Sequence, residues 1–338
     1  MNPIRPVLDH LSRKIGDLTE RQGHRVEVVD LKVTDRRGEI DLDPPGGRIS
    51  CNRACRLVRA ADGWIALNLA RPEDADLIPA WLETPATDDP WTVVEAEAAR
   101  RPCATLVERA ALLGLPVALV GEVAGDTLDA PVLRLGAPAP REGPPRVVDL
   151  SALWAGPLCG AVLAAMGAAV AKVESQGRPD PTRTSTPEFA RRLNGRKLHL
   201  SYDLASPEGR ERLRRQVLGA DVLITSARPR AFAGLGLDPE AIFAENPGLV
   251  WVAITGYGWT GPAAGRVAFG DDAAAAGGLV SREGDEPRFL GDALADPVAG
   301  LMAAAGALQA LAAGGGVLVD VAMARAAAGA AYRLGLSA

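Results

Sequence analysis

Apolar side chains recur at helical spacing through Val7, Leu8, Leu11, Ile15 and Leu18, which predicts a helix from Pro6 to Gln22. From His24 to Val33 apolar and polar residues alternate, the period of a half-buried strand. DPPGG at 43–47 then breaks the chain. In CRLVRAADGWIALNL, residues 55–69, two β-prone runs flank the turn residues Asp62 and Gly63, so a hairpin is expected. Asp74 to Leu82 and Glu95 to Leu113 read as helices, the second closed by Gly114, and the apolar PVALV beyond them reads as a strand. These elements predict a small α+β domain with an N-terminal helix over residues 1–140. The stretch APAPREGPP, which carries Pro138 to Pro145, suits neither a helix nor a central strand, and the domain boundary is placed there.

Over residues 141–338 strand and helix alternate more strongly. PRVVDLS at 145–151 reads as a buried strand, LCGAVLAAMGA at 158–168 as a helix of small residues, and AVAKVE at 169–174 as a second strand. A strand, helix and strand in that order demand a parallel pair with a right-handed crossover. Ser206 to Leu218 follows as a helix with Ser206 at its cap, Pro207 at its first position and Glu208 and Glu211 close behind. ADVLITS at 220–226 and LVWVAITGYG at 249–258 are further buried strands, separated by a helix from Asp238 to Glu245. The pattern predicts a doubly wound, Rossmann-like α/β domain whose ligand crevice lies at the carboxyl ends of its strands.

Composition narrows the partners. In 338 residues, 37 basic and 42 acidic side chains give a net charge of −5, which leaves no basic field for a nucleic acid backbone. Aromatic residues make up only 4%, with 37 glycines and abundant alanine, so close packing through small side chains is expected. The four cysteines, Cys51, Cys55, Cys103 and Cys159, form one CxxxC without the histidines or second pair of a zinc site; no metal is expected, and the thiols read as reduced. MNPIRPVLDHLSRKIGDL has no apolar signal-like core, and the apolar run from Met302 to Ala313 is short for a bilayer. A cytoplasmic protein without a membrane partner is the expectation.

The common catalytic signatures are missing. The turn after the first α/β strand reads LSALWAGP rather than GxGxxG, and neither a GxxxxGK[ST] loop nor a GxSxG elbow occurs. Three histidines, His10, His24 and His199, leave little for a histidine base. Cations do gather near strand ends: Arg183 after ESQGRPDPT, Arg191, Arg192, Arg196 and Lys197 in RRLNGRK, and Arg228 and Arg230 in TSARPR. They read either as a grip on a small phosphate-bearing ligand or as solvated surface charge.

VVDLSALWAGPLCGAVLAAMGAAVAKVESQGRPDPTR resembles the opening of the class III coenzyme A transferases, the family of carnitine, formyl and other acyl-CoA transferases and of the α-methylacyl-CoA racemases. The resemblance continues in order through LNGRKLHLSYDLASPEGRERL, ADVLITSARPRAFAGLGLDPEAI, NPGLVWVAITGYGWTGP, ADPVAGLMAAAGALQAL and GGGVLVDVAMARAA, over roughly 144–330. It implies acyl-CoA and a carboxylic acid as substrates, a homodimer that interlocks in the family, and CoA lying over the first strand–helix turn. Leu153, Trp154, Ala155, Gly156 and Pro157 would then border the thiol arm. Arg183 would meet the nucleotide end, with Asn194, Arg196, Lys197 and Arg228 completing the grip. The family nucleophile, an aspartate opening a small-residue helix, corresponds to Asp296 with Gly300 a turn later; Asp292 competes with it. Attack on the thioester would give an acyl-aspartyl anhydride. Without the resemblance, Asp296 reads as an ordinary helix cap followed by proline at the first helical position.

The chain departs from the family pattern in three respects. The racemase histidine segment, of G-H-D type, reads Gly270, Asp271, Asp272, which disfavours two-base racemisation but leaves isomerisation through Asp271 or Asp272 as an alternative. Ser226 and Ala227 replace the usual Asn-Phe before Arg228. The pieces resembling the family's small domain, roughly 48–125, come first instead of last, so the chain looks circularly permuted. A CoA-binding or partner-binding protein that keeps the scaffold without the catalysis is a further alternative.

Overall fold

The structure, a computed structural model, describes residues 3–336. Its main sheet has seven strands, in spatial order Val132–Arg134, Val317–Ala322, Val250–Thr255, Val222–Thr225, Arg146–Asp149, Ala169–Ser175 and Leu198–Tyr202. The first runs antiparallel to its neighbour and the other six are parallel. Counted along the chain from Arg146–Asp149, the parallel strands lie in the order 3-2-1-4-5-6, the doubly wound arrangement. Its winding reverses between Arg146–Asp149 and Val222–Thr225, and the carboxyl ends there are where such a sheet places its ligand crevice.

Both faces of the sheet are covered, and the two-residue period of a strand assigns each side chain to one of them. Val250, Val252 and Ile254 enter one core while Trp251 and Ala253 enter the other. The first core is closed by the helices Arg5–Glu20, Ala155–Ala165 and Ala295–Ala312, the second by Pro207–Leu218 and Pro239–Glu245. Small residues let two of these helices touch. A Cβ on Gly300 would stand 2.7 Å from the Ala155 carbonyl oxygen, so glycine is what permits the crossing of Ala295–Ala312 over the start of Ala155–Ala165. Ala295–Ala312 is long and apolar enough to cross a membrane, further than the apolar run legible from Met302, yet it lies buried between its neighbours.

A second sheet, antiparallel, joins Cys55–Arg59, Trp64–Asn68 and Val117–Leu119. One face packs on its own helices through Ile65, Leu67, Trp81 and Leu106. The other presents Cys55, Leu57, Ala66 and Ala118 to Ala275 and Ala276 of the helix Gly270–Ala276. Backbone hydrogen bonds from Gly121 N–H to Ala275 O and from Val123 N–H to Ala276 O, both 2.9 Å, join the two units.

Three expectations from the sequence differ from what the chain does. No strand forms over 24–33: Val26 and Val28 are buried as the alternation implies and Val33 out of phase with them, but Val28–Leu31 is a helical turn packed against helices, which offer no strand edge to pair with. The helix expected over 95–113 is two, Pro90–Ala98 and Cys103–Leu113, interrupted at Pro102, and 74–82 likewise divides into Pro72–Asp76 and Ile78–Leu82. The division at 140/141 does not coincide with the division of the sheets. Arg5–Glu20 and Val132–Arg134 both join the α/β body, and the proline-rich 138–145 stretch is a crossing within it.

Candidate active site

The crevice at the switch point begins with a tight turn. Leu153 adopts φ +68°, a left-handed conformation costly for a branched side chain, and its N–H donates to Asp180 Oδ2 at 3.1 Å. Gly156 has no room for a Cβ because Ser151 lies against it. Across the crevice Ser226 Oγ accepts from the Ala152 N–H at 2.9 Å, so the serine that departs from the family pattern fastens the turn. Ala152 and Leu153 are partly open, whereas Trp154, Ala155, Gly156 and Pro157 are buried. Trp154 donates its indole N–H to Val33 O at 2.8 Å and meets Phe189 edge-on at 5.0 Å.

The predicted cations separate into two groups. Lys197 and Asn194 face inward: Lys197 Nζ donates to Asp149 Oδ2, Pro157 O and Asn194 Oδ1, each at 2.8 Å, and both members of its pair with Asp149 are fully buried. Burial alone would raise the Asp149 carboxyl, but Lys197 and Lys172 beside it hold it down at about 2. All three ammonium donors of Lys197 are thus spent on the protein. Arg196 is exposed at the amino end of Leu198–Tyr202, away from the carboxyl-end crevice. Arg183 and Arg228 lie after the carboxyl ends of their strands. Arg183 is largely exposed and 3.3 Å from Glu174. Arg228 is close enough to Arg230, Arg71 and Arg178 that, after burial, these cations lower its pKa. Arg71 comes from the small unit, held by Gly114 O at 2.9 Å and by Asp74. Like charges gathered beside a crevice favour an anionic ligand.

Asp296 lies at the meeting of two helix starts. It is the second residue of Ala295–Ala312, with Leu294 rather than Asp296 in the cap position, so the aspartate cap with proline at the first helical position is not what forms. A Cβ on Gly270 would overlap its Oδ2, and the Ala155 N–H at the opening of Ala155–Ala165 bonds toward its carboxylate. Just before the helix, Ala293 takes φ +46°, a second left-handed non-glycine residue at this centre. Its N–H donates to Asp271 Oδ1 at 2.8 Å, and Asn52 Nδ2 donates to Asp271 Oδ2 at 3.0 Å. Asp272 Oδ1 accepts from the Phe269 N–H and from Asn68 Nδ2 at 2.8 Å. Asp292 is held from both sides of one guanidinium, Arg36 Nε to Oδ2 at 2.6 Å and Arg36 Nη2 to Oδ1 at 2.7 Å.

Burial raises three of the four carboxyl groups gathered here, and neighbouring carboxylates add to the rise. Burial first, and then the neighbouring Asp292, push Asp271 up to about 7; burial likewise brings Asp272 to about 7. Asp296 is also pushed up to about 7, by burial, with Asp271 and Asp292 adding to the rise and Arg36 opposing it. Asp271 and Asp272 are sealed, while Asp296 retains some exposure. The arrangement is a carboxyl group near 7, partly open, and reached by the Ala155 N–H.

Arg36, Asn52, Asn68 and Arg71 escaped the reading of the sequence. Arg36, Asn52 and Asn68 lie 204 to 256 positions from the aspartates they meet, and TDRRGE or SCNRAC carries no local signal of such a meeting. The four cysteines are free and buried, Cys51 with its thiol raised to about 11 by burial and by Asp292 and Asp271.

The match to known proteins falls on this body. The model of CoA-transferase family III matches residues 145–334, and the chain belongs to that family. It is 37% identical over 194 residues to succinyl-CoA–D-citramalate CoA-transferase of Chloroflexus aurantiacus, covering 52% of this chain and 47% of that one. It is 34% identical over 208 residues to succinate–glutarate CoA-transferase of Agrobacterium fabrum, covering 54% and 52%. The chain spans about half the length of the curated relatives it matches. Among solved structures, a CAIB/BAIF family protein from Brucella suis superposes with a TM-score of 0.52 at 33% identity, over 58% of this chain and 56% of the other.

Proposed function

We propose that the protein is an acyl-CoA:carboxylate CoA-transferase with Asp296 as its nucleophile. The observation that carries this is the setting of Asp296: of the four clustered carboxyl groups it is the one at a helix junction, partly open, and without a guanidinium on both oxygens. Asp292, the competitor, has both oxygens committed to Arg36. As a carboxylate, Asp296 adds to the thioester carbonyl and expels CoA thiolate, leaving an acyl-aspartyl anhydride. The thiolate then takes the aspartyl carbonyl and releases the donor acid. The acceptor carboxylate re-forms an anhydride, expelling the thiolate once more. Its return to the acyl carbonyl frees the new acyl-CoA and Asp296. The Ala155 N–H, which bonds toward the Asp296 carboxylate, stabilises the oxyanion that develops on the aspartyl carbonyl when the thiolate and the acceptor carboxylate add to it.

In this reading Leu153 and the turn before Ala155 border the thiol arm, and Arg183 and Arg228, joined by Arg71, Arg178 and Arg230, take the phosphates. Asn194, Lys197 and the buried Trp154 to Pro157 support the turn from beneath. The reading includes a cytoplasmic homodimer in which the small unit, placed ahead of residues 145–334, reflects a permuted order; light scattering of the full chain tests the assembly. Isomerisation through Asp271 is disfavoured because both of its oxygens already accept hydrogen bonds. Exchange of an isotopically labelled carboxylic acid into a panel of acyl-CoAs tests the activity, and deuterium wash-in at the α-carbon without acid exchange would favour an isomerase instead. CoA binding without either reaction would leave a binding protein.

A further inference from the structure

We propose that Arg36, from outside the family-matched segment, is the positioning residue that holds Asp296 as a carboxylate, its guanidinium fixed by a two-point grip on Asp292 and by the face of Trp154. The proposal rests on the nucleophilic role of Asp296 given above, and it concerns a residue that residues 145–334 do not contain.

Arg36 is held in place more firmly than a surface ion pair. Its two bonds to Asp292, at 2.6 and 2.7 Å, use the parallel fork that matches a carboxylate, and its side chain is 17% exposed against 10% for Asp292. The guanidinium carbon lies 5.2 Å from the centre of the Trp154 ring. The backbone around it is also pinned. Val33 O accepts from the Trp154 indole, and Arg192 donates to Lys32 O at 2.8 Å and to Asp35 O at 3.1 Å. Trp154 immediately precedes Ala155, whose N–H faces Asp296. One residue thus ties together the turn before Asp296, the start of the neighbouring helix and the N-terminal segment.

The charges facing Asp296 come from each element packed around it. Asp271 on Gly270–Ala276 and Asp292 in the preceding turn disfavour its ionisation, and Arg36 favours it. The same cation acts on Asp271, where it opposes burial and Asp292. Asp292 alone would make Asp296 harder to ionise, and the residue that grips Asp292 also stacks on Trp154, the neighbour of the Ala155 N–H that bonds toward Asp296. With Asp292 paired to Arg36, the anion four positions before Asp296 is balanced by a cation whose charge also reaches Asp296.

The test follows the carboxyl carbon of Asp296 by NMR in protein labelled with 13C-aspartate, assigned by its loss in Asp296→Asn, across pH in the wild type, Arg36→Gln and Arg36→Lys. The pH profile of acid exchange is measured in parallel. The wild-type midpoint is expected near 7. In Arg36→Gln it rises by at least one unit, which cuts the ionised fraction about tenfold on the acid limb, and the exchange profile moves with it. Arg36→Lys, which keeps the charge but not the fork, falls between and serves if Arg36→Gln does not fold. A midpoint in the folded variants equal to that of the wild type overturns the proposal, since a merely structural pair would not move it. A shifted midpoint in a protein that exchanges no acid supports the role of Arg36 and sinks the transferase reading instead.

Discussion

Gly270 and Asp296 touch so closely that a Cβ at position 270 would overlap Oδ2 of the aspartate. The start of one helix thereby fixes the reactive carboxyl group on another, and Asp296 has no freedom to swing toward Gly270–Ala276. Gly270→Ala is expected to push the carboxylate out of line. A displacement near 1 Å costs about a hundredfold in rate, so kcat/KM for acid exchange falls by about that factor while acyl-CoA still protects the protein against thermal unfolding.

The carboxyl cluster gives stability an unusual slope with pH. Asp271, Asp272 and Asp296 lie near 7 in the folded chain, against about 3.9 in an unfolded one. Between those values the folded state holds more protons than the unfolded state, so these groups make stability fall as pH rises from about 4 to 7. Asp149, held at about 2, acts oppositely; its contribution is present above the unfolded value and disappears as pH falls toward 2. Asp272→Asn tests the first half. Asp272 Oδ2 and Asn68 Oδ1 are both buried without a hydrogen-bond partner, and the new amide supplies a donor there. Urea unfolding is expected to show Asp272→Asn more stable than wild type at pH 8, with the difference shrinking toward pH 5; an equal or lower stability at pH 8 would contradict the raised carboxyl.

Lys197 is assigned to the interior, and its removal distinguishes that place from a ligand contact. Lys197→Met leaves Asp149 buried without its partner, a change that costs about 3–5 kcal/mol. The midpoint of urea unfolding falls accordingly, while the folded fraction at low urea binds CoA with nearly unchanged affinity.

Arg228 and Arg71 predict the reverse. Each charge-assisted contact to a phosphate contributes about 1.5–3 kcal/mol, so Arg228→Ala and Arg71→Ala each weaken CoA binding roughly tenfold or more with little effect on unfolding of the free protein. Calorimetric titration with CoA at low and high salt measures this; a salt-independent affinity would argue against phosphate contact. For Arg71 the loss of its tie to Asp74 is an added cost, visible in the free protein alone.

Much of the α/β body was legible because its signals are local. Apolar runs such as VVD and VLIT mark the buried strands, Ser206 caps its helix as expected by accepting from the Gly209 N–H, Asp238 opens the expected helix and accepts from the Ala241 N–H, and ADPVAG marks the helix start that carries Asp296. The N-terminal third was less legible. Val26 and Val28 showed burial but not conformation, because a helical surface and a sheet edge bury alternate residues alike over so short a stretch. Lys197 looked like a ligand contact because a basic turn gives no sign of which cation is drawn inward; the deciding partner, Asp149, is 48 positions away. The ionisation of Asp296 was beyond local reading altogether. It is set by Arg36, Asp271 and Asp292, which only the folded chain brings around it.

The central claim is that Asp296 carries the acyl group. Incubation with acyl-CoA and hydroxylamine, followed by peptide mass spectrometry, tests it most directly. The expected result is a hydroxamate on Asp296, absent when acyl-CoA is omitted, together with loss of acid exchange in Asp296→Ala. A hydroxamate on Asp292 instead, or undiminished exchange by Asp296→Ala, would contradict it.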